Sequence, residues 1–260
     1  MTEREVPNSK AVLIACMPKS GSTFLSALLA NMPGFRREHL VPSYYRREQE
    51  LSEELIRKAF AATDTLRDAF RQGVVSAPTR PRGFVAQHHV KHNHETQSLV
   101  DAYGLVPVFL VRNIYDIVIS LRDHVVKSAP YTAAAYVDED MLGWPEERMH
   151  DFLVDLALPW YIHFYVSWWK AENRLLVTYE DLTRDPRQQV SRIARFGRLG
   201  WDEETFEATL AKVQGGDSTR KNVGQAGRGE VLTQDMRDRI QRYCSYYPDV
   251  DFEPIGVPSS

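Results

Sequence analysis

The segment from Ala11 to Thr23 limits the folds open to this chain more than any other part of the sequence. A short apolar run, Ala11–Cys16, leads directly into a polar loop sequence, P-K-S-G-S-T, at Pro18–Thr23. Apolar residues then recur at helical spacing up to Pro33. The segment therefore predicts a buried strand, a tight loop and a helix.

The remainder of the chain alternates between strand and helix patterns. Further apolar runs predict strands at 83–89, 106–111 and 175–178. A long loop is expected at 128–147. Because parallel strands need crossover connections, we predict the α/β class, with a mainly parallel central sheet flanked by helices. The helices are predicted at 52–70, 115–125, 149–173 with a break at Pro159, 186–199, 205–212 and 233–243.

Length and hydrophobicity indicate one domain. The chain has 260 residues, 43% of them hydrophobic, which is enough to bury one large core. Nothing in the composition divides the chain into two halves. We therefore expect a single domain over residues 1–260, with flexible ends at 1–10 and 254–260.

Charge and cysteine usage exclude several classes of protein. The 32 basic and 35 acidic residues give a net charge of -3, which argues against a nucleic-acid or membrane-surface binder. The charged N-terminus is unlike a signal peptide, and no apolar stretch approaches the roughly 18 residues of a membrane span. Cys16 and Cys244 lack metal-ligand or redox spacing, which fits a reducing compartment. We expect a cytoplasmic protein with no nucleic-acid or membrane partner.

The loop at Pro18–Thr23 has the features of a phosphate-binding loop. Backbone N–H groups at a helix N-terminus favour an anion, Gly21 allows close approach of the backbone, and Lys19 adds a positive charge. The loop is not a Walker A motif, because its lysine precedes the glycine. An ordinary serine- and glycine-rich turn that caps a helix is the alternative.

A second candidate site follows the predicted strand at 106–111. Arg112 stands at the carboxyl end of this strand, where open α/β sheets bind ligands, and its planar fork suits a phosphate. Ser120 can add a hydroxyl from the following helix. The alternatives are a surface ion pair between Arg112 and Asp116 and a solvated position for Ser120.

Taken together, the two segments resemble the sulfotransferase family that depends on 3'-phosphoadenosine 5'-phosphosulfate (PAPS). The family's 5'-phosphosulfate loop, P-K-S-G-[ST]-[ST], matches Pro18–Thr23, and its 3'-phosphate segment, R-N-x-x-D-x-x-x-S, matches Arg112–Ser120. A tryptophan-rich helix at 160–169 and a Y-E-D-L-x-x-D-P segment at 179–186 follow in the family's order. The resemblance spans Val12 to about Thr233 and implies a P-loop-like phosphosulfate-binding loop in an α/β fold.

The resemblance implies a set of donor-binding residues in the loop, in the second motif and in a C-terminal R-K-G segment. Here Arg220 and Lys221 are followed by Asn222 instead of glycine, and Arg228 competes with them for the 3'-phosphate. The residues that the resemblance assigns to the donor are Lys19, Ser20, Gly21, Ser22, Thr23, Phe24, Arg112, Ser120, Arg220 and Lys221.

The resemblance also implies a catalytic histidine at the end of the second predicted strand. The family has K-x-H at this point, and His89 aligns best with its histidine, with His88 as the alternative. Gln87 replaces the family's lysine, and Lys91 could supply the missing charge. Lys19 is expected to stabilise the leaving group during catalysis.

Other conspicuous residues are predicted to be structural. His88 and His92 stand four apart, but no cysteine or acidic cluster accompanies them, so we predict no metal site. His92 and His94 are expected to be solvated loop residues. The acidic residues of the segment at 179–181 are expected to cap or orient helices, and the tryptophans to lie mainly in the core.

The resulting hypothesis is sulfuryl transfer from PAPS to a hydroxyl or amine of a small-molecule or saccharide acceptor. A histidine acts as general base for in-line displacement, and no metal is required. The alternative is a P-loop nucleotide or metabolite kinase, which needs a Walker lysine and a magnesium-binding carboxylate. A third option is a binding module without chemistry, suggested by Gln87 and Asn222. The acceptor and the oligomeric state stay open, and a homodimer is one option.

Overall fold

A computed structural model of the chain describes residues 9–42, 49–75, 79–127, 135–215 and 227–258. Within these ranges, strands and helices alternate and build one α/β unit, as predicted. The strands described form a single sheet of five in the order β2-β3-β1-β4-β5. They are β1 (Lys10–Cys16), β2 (Phe35–Glu38), β3 (Gly83–His88), β4 (Leu105–Val111) and β5 (Leu175–Thr178).

Every pairing in the sheet is parallel. Strand β1 lies at the centre, with Ala15 opposite His88 of β3 and Cys16 opposite Leu110 of β4. Parallel strands end at the same edge, and ligands of open α/β sheets bind there. The segments that follow β1, β3, β4 and β5 are therefore neighbours in space.

Helices connect the strands and cover the two faces of the sheet. The described part of the chain also contains 3-10 helices at Asp140–Gly143, Arg228–Val231 and Glu253–Ile255. The α-helices are α1 (Ser22–Ala30), α2 (Glu53–Arg71), α3 (His94–Tyr103), α4 (Ile114–Lys127), α5 (Glu146–Leu156), α6 (Leu158–Trp169), α7 (Tyr179–Arg184), α8 (Pro186–Gly197), α9 (Glu203–Gln214) and α10 (Gln234–Ser245).

The buried apolar residues in the described ranges form two hydrophobic clusters, one on each face of the sheet. Along β1, Leu13 belongs to the first cluster and Ile14 to the second, because successive side chains of a strand point to opposite faces. The first cluster includes residues of α2, α4, α5, α6 and α10, and the second includes residues of α1, α8 and α9. Both faces of β1 are buried, which explains its unbroken apolar sequence.

Two predicted helix boundaries are confirmed. Ser52 caps α2, since its Oγ accepts a hydrogen bond from the backbone N–H of Leu55 at 3.4 Å. Pro159 lies in the first turn of α6, and α5 ends just before it, so the aromatic-rich segment is two helices. Proline is tolerated in the first turn because its missing N–H has no partner there.

The sequence patterns missed β2, α3 and α7. Strand β2 is a four-residue edge strand with two arginines, too short and polar to stand out. Helix α3 has clear end signals: Asn93 Oδ1 accepts from Thr96 N at 2.7 Å, and Gly104 ends it with φ 57°. The loop expected at 128–147 instead contains a 3-10 helix and the start of α5, and its residues 128–134 lie outside the described ranges.

The chain ends differ from the expected flexible segments. Ile255 and Val257 are buried in the first cluster, so the tail predicted to be flexible from residue 254 packs onto the core at least to Val257. At the other end, Ser9 is buried and Lys10 begins β1, whereas 1–8 lie outside the described residues. No helix in the described ranges is long and apolar enough to cross a membrane.

Candidate functional site

The loop between β1 and α1 has an unusual backbone. Lys19 and Gly21 have φ values of 70° and 79°, in the left-handed region, which costs energy for a residue such as lysine. Ser20 stabilises the loop, because its Oγ donates to Met17 O at 2.7 Å and its backbone N–H donates to the same oxygen at 3.3 Å. Such turns direct successive backbone N–H groups into one concave site for an anion.

Gly21 is required by space as well as by conformation. A Cβ at this position would lie 2.7 Å from Cδ2 of Tyr179, which is closer than carbon atoms approach. Tyr179 is the first residue of α7, directly after β5. The glycine of the loop therefore lets the loop lie against the start of α7.

Arg112 lies directly against this loop. It follows β4, is only 5% exposed, and donates from Nη1 to Lys19 O at 3.2 Å. Its guanidinium stacks on the Tyr179 ring at 4.2 Å from the ring centroid, and Nη2 lies 3.6 Å from Oδ2 of Asp116. The ion pair considered from sequence exists, but it is buried. The fold thus brings together the two sequence motifs.

The other candidate donor-binding residues of the described chain lie on α1 and α4. Ser22 is buried in the first turn of α1, Thr23 is exposed and Phe24 is half-buried. Ser120 is 4% exposed on α4, so it is not a solvated helix position. Arg220 and Lys221 lie outside the described residues.

The start of α4 is held by a capping arrangement. Asn113 Oδ1 accepts from the backbone N–H groups of Tyr115 at 3.0 Å and Asp116 at 3.3 Å. Glu180 Oε1 accepts from Asn113 N at 3.1 Å, and burial raises the pKa of Glu180. The acidic residue after Tyr179 therefore orients the neighbouring helix, in agreement with the structural role predicted for it.

His89 follows β3 and lies next to the end of β1. Its ring Nδ1 is 2.8 Å from the backbone oxygen of Cys16 and 3.4 Å from Cys16 Sγ, and its backbone N–H donates to Gln49 Oε1 at 2.7 Å. Since a carbonyl only accepts, Nδ1 carries the hydrogen and Nε2 is the basic nitrogen. Burial disfavours the charged ring, but the interactions with Cys16 outweigh burial and raise the pKa of His89.

His88 has a different environment. Its ring is buried, and Nε2 accepts a hydrogen bond from the backbone N–H of Leu40 at 2.9 Å. Burial, with smaller contributions from His39 and His89, lowers the pKa of His88 to about 3. The ring is therefore neutral near neutral pH, and its basic nitrogen is already used in a structural contact.

Gln87, at the position of the family's lysine, contacts the loop directly. Its Nε2 donates to Oγ of Ser22 at 2.8 Å. Lys91 lies near a different side chain, with Nζ 5.6 Å from the ring centroid of Trp160. Gln87 therefore gives the loop a neutral hydrogen bond where the family has a cation.

The remaining histidines differ from expectation. His92 lies in the loop before α3, as predicted, but it is half-buried and not freely solvated, with Nε2 2.8 Å from Gln97 Oε1 and its ring 5.2 Å from that of Trp168. His94 is exposed but begins α3. In the parts of the chain that the structure describes, no group of three His, Cys, Asp or Glu side chains could hold a metal ion.

Trp168 has a structural role in the core, as predicted for most of the tryptophans. Trp168 is 1% exposed, and its Nε1 donates to Val90 O at 2.7 Å. Trp160 is half-buried and stacks on Phe164 at 5.5 Å. Trp168 therefore belongs to the core, whereas Trp160 lies closer to the surface.

Arg228, the competitor for the 3'-phosphate, already has a partner. Its Nη2 donates to Oδ2 of Asp123 at 2.6 Å. The Arg228 side chain is one-quarter exposed, and this pair joins the 3-10 helix at Arg228–Val231 to α4. Arg228 thus pairs with α4 at Asp123, whereas Arg112 pairs with it at Asp116.

The sequence patterns did not indicate that Tyr179, Gln49 and the Cys16 carbonyl belong to the site. Tyr179 could have been found, because it follows β5 just as Arg112 follows β4, at the same edge of the sheet. Gln49 and the carbonyl of Cys16 carry no sequence signal, because their roles depend on distant parts of the chain approaching each other.

The position of the loop, at the start of α1 and at the carboxyl edge of a parallel sheet, is that of phosphate-binding α/β proteins. The family described as the sulfotransferase domain matches residues 9–222. The chain belongs to the sulfotransferase family, and the predicted membership is confirmed. No curated protein matches the sequence at a significant level.

Solved structures of low sequence identity share the fold. Mouse sulfotransferase SULT7A1 complexed with PAP has a TM-score of 0.62 at 12% identity, over 94% of this chain and 86% of that chain. Retinol dehydratase in complex with androsterone and inactive cofactor PAP has a TM-score of 0.52 at 15% identity, over 91% and 80%. Sulfotransferase STF9 from Mycobacterium avium has a TM-score of 0.51 at 13% identity, over 94% and 78%.

Gly21→Ala should destabilise the protein by about 1–3 kcal/mol, because alanine is strained at this φ and its Cβ collides with Tyr179. The matched control is Gly73→Ala, where φ is 71° but no atom lies within 4 Å of the added Cβ. Chemical denaturation gives the free energy of unfolding of each variant. Equal losses for both variants would contradict a steric requirement at Gly21.

His88 should make the protein less stable in acid. The unfolded chain takes up a proton on His88 near pH 6.5, whereas the folded ring does so only at about 3. Stability therefore falls as pH drops from about 6.5 towards 3, by at most about 1.4 kcal/mol per pH unit. His88→Gln keeps an acceptor for Leu40 but does not titrate, so it should flatten this dependence.

Denaturation at stepped pH measures the slope for wild type, His88→Gln and the exposed control His94→Gln. The slope should change in the first variant only. If His88→Gln retains the wild-type slope, the assignment of a buried neutral ring to His88 is wrong.

Proposed function

We propose that this sulfotransferase transfers the sulfuryl group of PAPS to a hydroxyl or amine of a small-molecule or saccharide acceptor, leaving adenosine 3',5'-bisphosphate (PAP). The observation that carries the proposal is the contact of buried Arg112 with the backbone of Lys19. This contact joins a candidate 3'-phosphate residue to a candidate 5'-phosphosulfate loop. PAP in the structures of the mouse sulfotransferase and of retinol dehydratase supports the same donor.

The residues present fit such a donor. Lys19 has a left-handed backbone conformation, and a Cβ would not fit at Gly21. The loop leads directly into the N-terminus of α1, where backbone N–H groups favour an anion. We assign the 5'-phosphosulfate to Lys19, Ser20, Gly21, Ser22, Thr23 and Phe24. We assign the 3'-phosphate to Arg112 and Ser120, with Arg220 and Lys221 as further proposed contacts.

Bound PAPS would supply an activated sulfuryl group with PAP as its leaving group. We propose that His89 takes the proton of the acceptor at Nε2, since the Cys16 carbonyl holds the hydrogen on Nδ1. His88, the alternative base, is less suited, because its Nε2 accepts from Leu40 and its pKa is low.

Lys19 and the backbone N–H groups of the loop are proposed to stabilise the negative charge that develops on the leaving 5'-phosphate oxygen. Losing one such donor typically costs about 100- to 1000-fold in rate. Gln87 Nε2 donates to Ser22 Oγ, so the Ser22 hydroxyl hydrogen points away from Gln87 and can be donated to the phosphosulfate. These residues provide the stabilising donors themselves, so the proposed reaction requires no metal ion.

Donor binding tests the proposal. We expect isothermal titration without magnesium to show PAP binding more tightly than ATP or 5'-AMP. Arg112→Ala should weaken PAP about 10- to 100-fold, the size expected for lost charge-assisted hydrogen bonds. The matched control is Arg184→Ala, because Arg184 is exposed and pairs with Asp181. Tighter binding of ATP, or a need for magnesium, would favour a kinase instead.

Turnover tests the base. With the best acceptor from a screen of phenols, alcohols, amines and saccharides, His89→Gln should lower kcat about 100- to 10,000-fold while PAP affinity is kept. In wild type, kcat should fall as pH drops through the raised pKa of His89, because the protonated ring cannot accept a proton. His88→Gln should keep most of the activity. A larger loss in His88→Gln than in His89→Gln would reverse the assignment.

A further inference from the structure

Asp116 has a buried carboxylate that contacts both the neighbouring Arg112 and a distant segment of the chain. It lies on α4, one turn after Arg112, and is 1% exposed. Its Oδ1 accepts from the backbone N–H of Gly229 at 2.7 Å, and its Oδ2 accepts from that of Gly227 at 3.0 Å. Oδ2 is also 3.6 Å from Arg112 Nη2. Both oxygens are therefore engaged by the chain itself.

The segment 227–231, called here the C-terminal arm, packs tightly on the first turn of α4. A Cβ on Gly229 would lie 2.4 Å from Cβ of Tyr115, so only glycine fits at this point. Arg237 reinforces the contact, with Nη2 donating to Gly229 O at 2.6 Å and its guanidinium 4.9 Å from the Tyr115 ring centroid. The arm is thus docked by its backbone, and the Asp116 carboxylate is central to the docking.

A buried carboxylate is costly unless hydrogen bonds and a counter-charge compensate it. At Asp116 the compensation comes from two backbone N–H groups and one guanidinium. The same guanidinium is held by Lys19 O and stacks on Tyr179. Asp116 therefore fixes one side of Arg112, and the arm and the loop become parts of one connected arrangement.

We propose that Asp116 is a positioning residue for recognition of the donor's 3'-phosphate, a role that rests on the function proposed above. It acts through Arg112, by orienting the guanidinium towards the phosphate, and it holds the C-terminal arm against α4. It does not contact the donor. Its removal should therefore affect ligands with a 3'-phosphate more than ligands without one.

Asp116→Asn is the informative change, because it keeps the size of the side chain. Asparagine can accept from only one of the two backbone N–H groups, turns its NH₂ towards the other, and removes the negative charge beside Arg112. We expect PAP affinity to fall about 10- to 100-fold while 5'-AMP affinity changes less than about threefold. Isothermal titration of both ligands measures the ratio of the two affinities.

A double-mutant cycle tests whether Asp116 acts through Arg112. In an Arg112→Ala background, Asp116→Asn should weaken PAP binding little further, since residues that act as one unit are not additive. The matched control is Asp123→Asn, also on α4, whose carboxylate pairs with Arg228 at the solvent-accessible side of the arm. Such partly exposed pairs contribute little, so the control should keep the wild-type ratio.

Different results would contradict the positioning role of Asp116 and the proposed function. Equal losses for PAP and 5'-AMP in Asp116→Asn, or additive losses in the double variant, overturn the positioning role alone. A wild-type protein that does not prefer PAP over 5'-AMP removes the proposed function and the inference with it. If Asp116→Asn does not fold, Gly229→Ala displaces the arm from the other side, and an unchanged ratio in that variant overturns the inference.

Discussion

The parallel pairing of β1 with β3 and β4 underlies both the fold and the candidate site. It places Ala15 opposite His88 and Cys16 opposite Leu110, so the three strands end at the same carboxyl edge of the sheet. The loop after β1, His89 after β3 and Arg112 after β4 must then be neighbours, although they are far apart in sequence. The two hydrophobic clusters keep this edge in place by burying both faces of the central strand.

The charge on Arg112 can be buried because three groups compensate it. Lys19 O accepts a hydrogen bond, the Tyr179 ring presents its negative face, and Asp116 supplies a counter-charge. A guanidinium held from these sides has little rotational freedom left. Binding an anion therefore costs less ordering of the side chain than it would for an arginine on the surface.

The adjacent residues His88 and His89 have different surroundings and opposite shifts in pKa. His88 is the last residue of β3, and its ring turns into the protein, where it accepts from Leu40. His89 is the next residue, and its ring lies against the end of β1, where the Cys16 carbonyl sets its tautomer. Successive side chains near a strand end point to opposite sides, so the two rings meet opposite environments and their pKa values move apart.

Local sequence patterns were enough to predict the α/β class, four of the five described strands, most described helices and the family. These patterns are the apolar runs, the helical spacing and the two motifs at Pro18–Thr23 and Arg112–Ser120. The same reason explains why β2 and α3 were not predicted. Strand β2 is short and polar, and helix α3 is only weakly amphipathic, so neither gives a clear local pattern. Three contacts could be seen only in the folded structure: His88 Nε2 accepts from Leu40, Gln87 donates to Ser22, and Asp116 joins Arg112 to the C-terminal arm. These contacts join residues up to 113 positions apart, and their direction depends on strand register and burial, which no local pattern encodes.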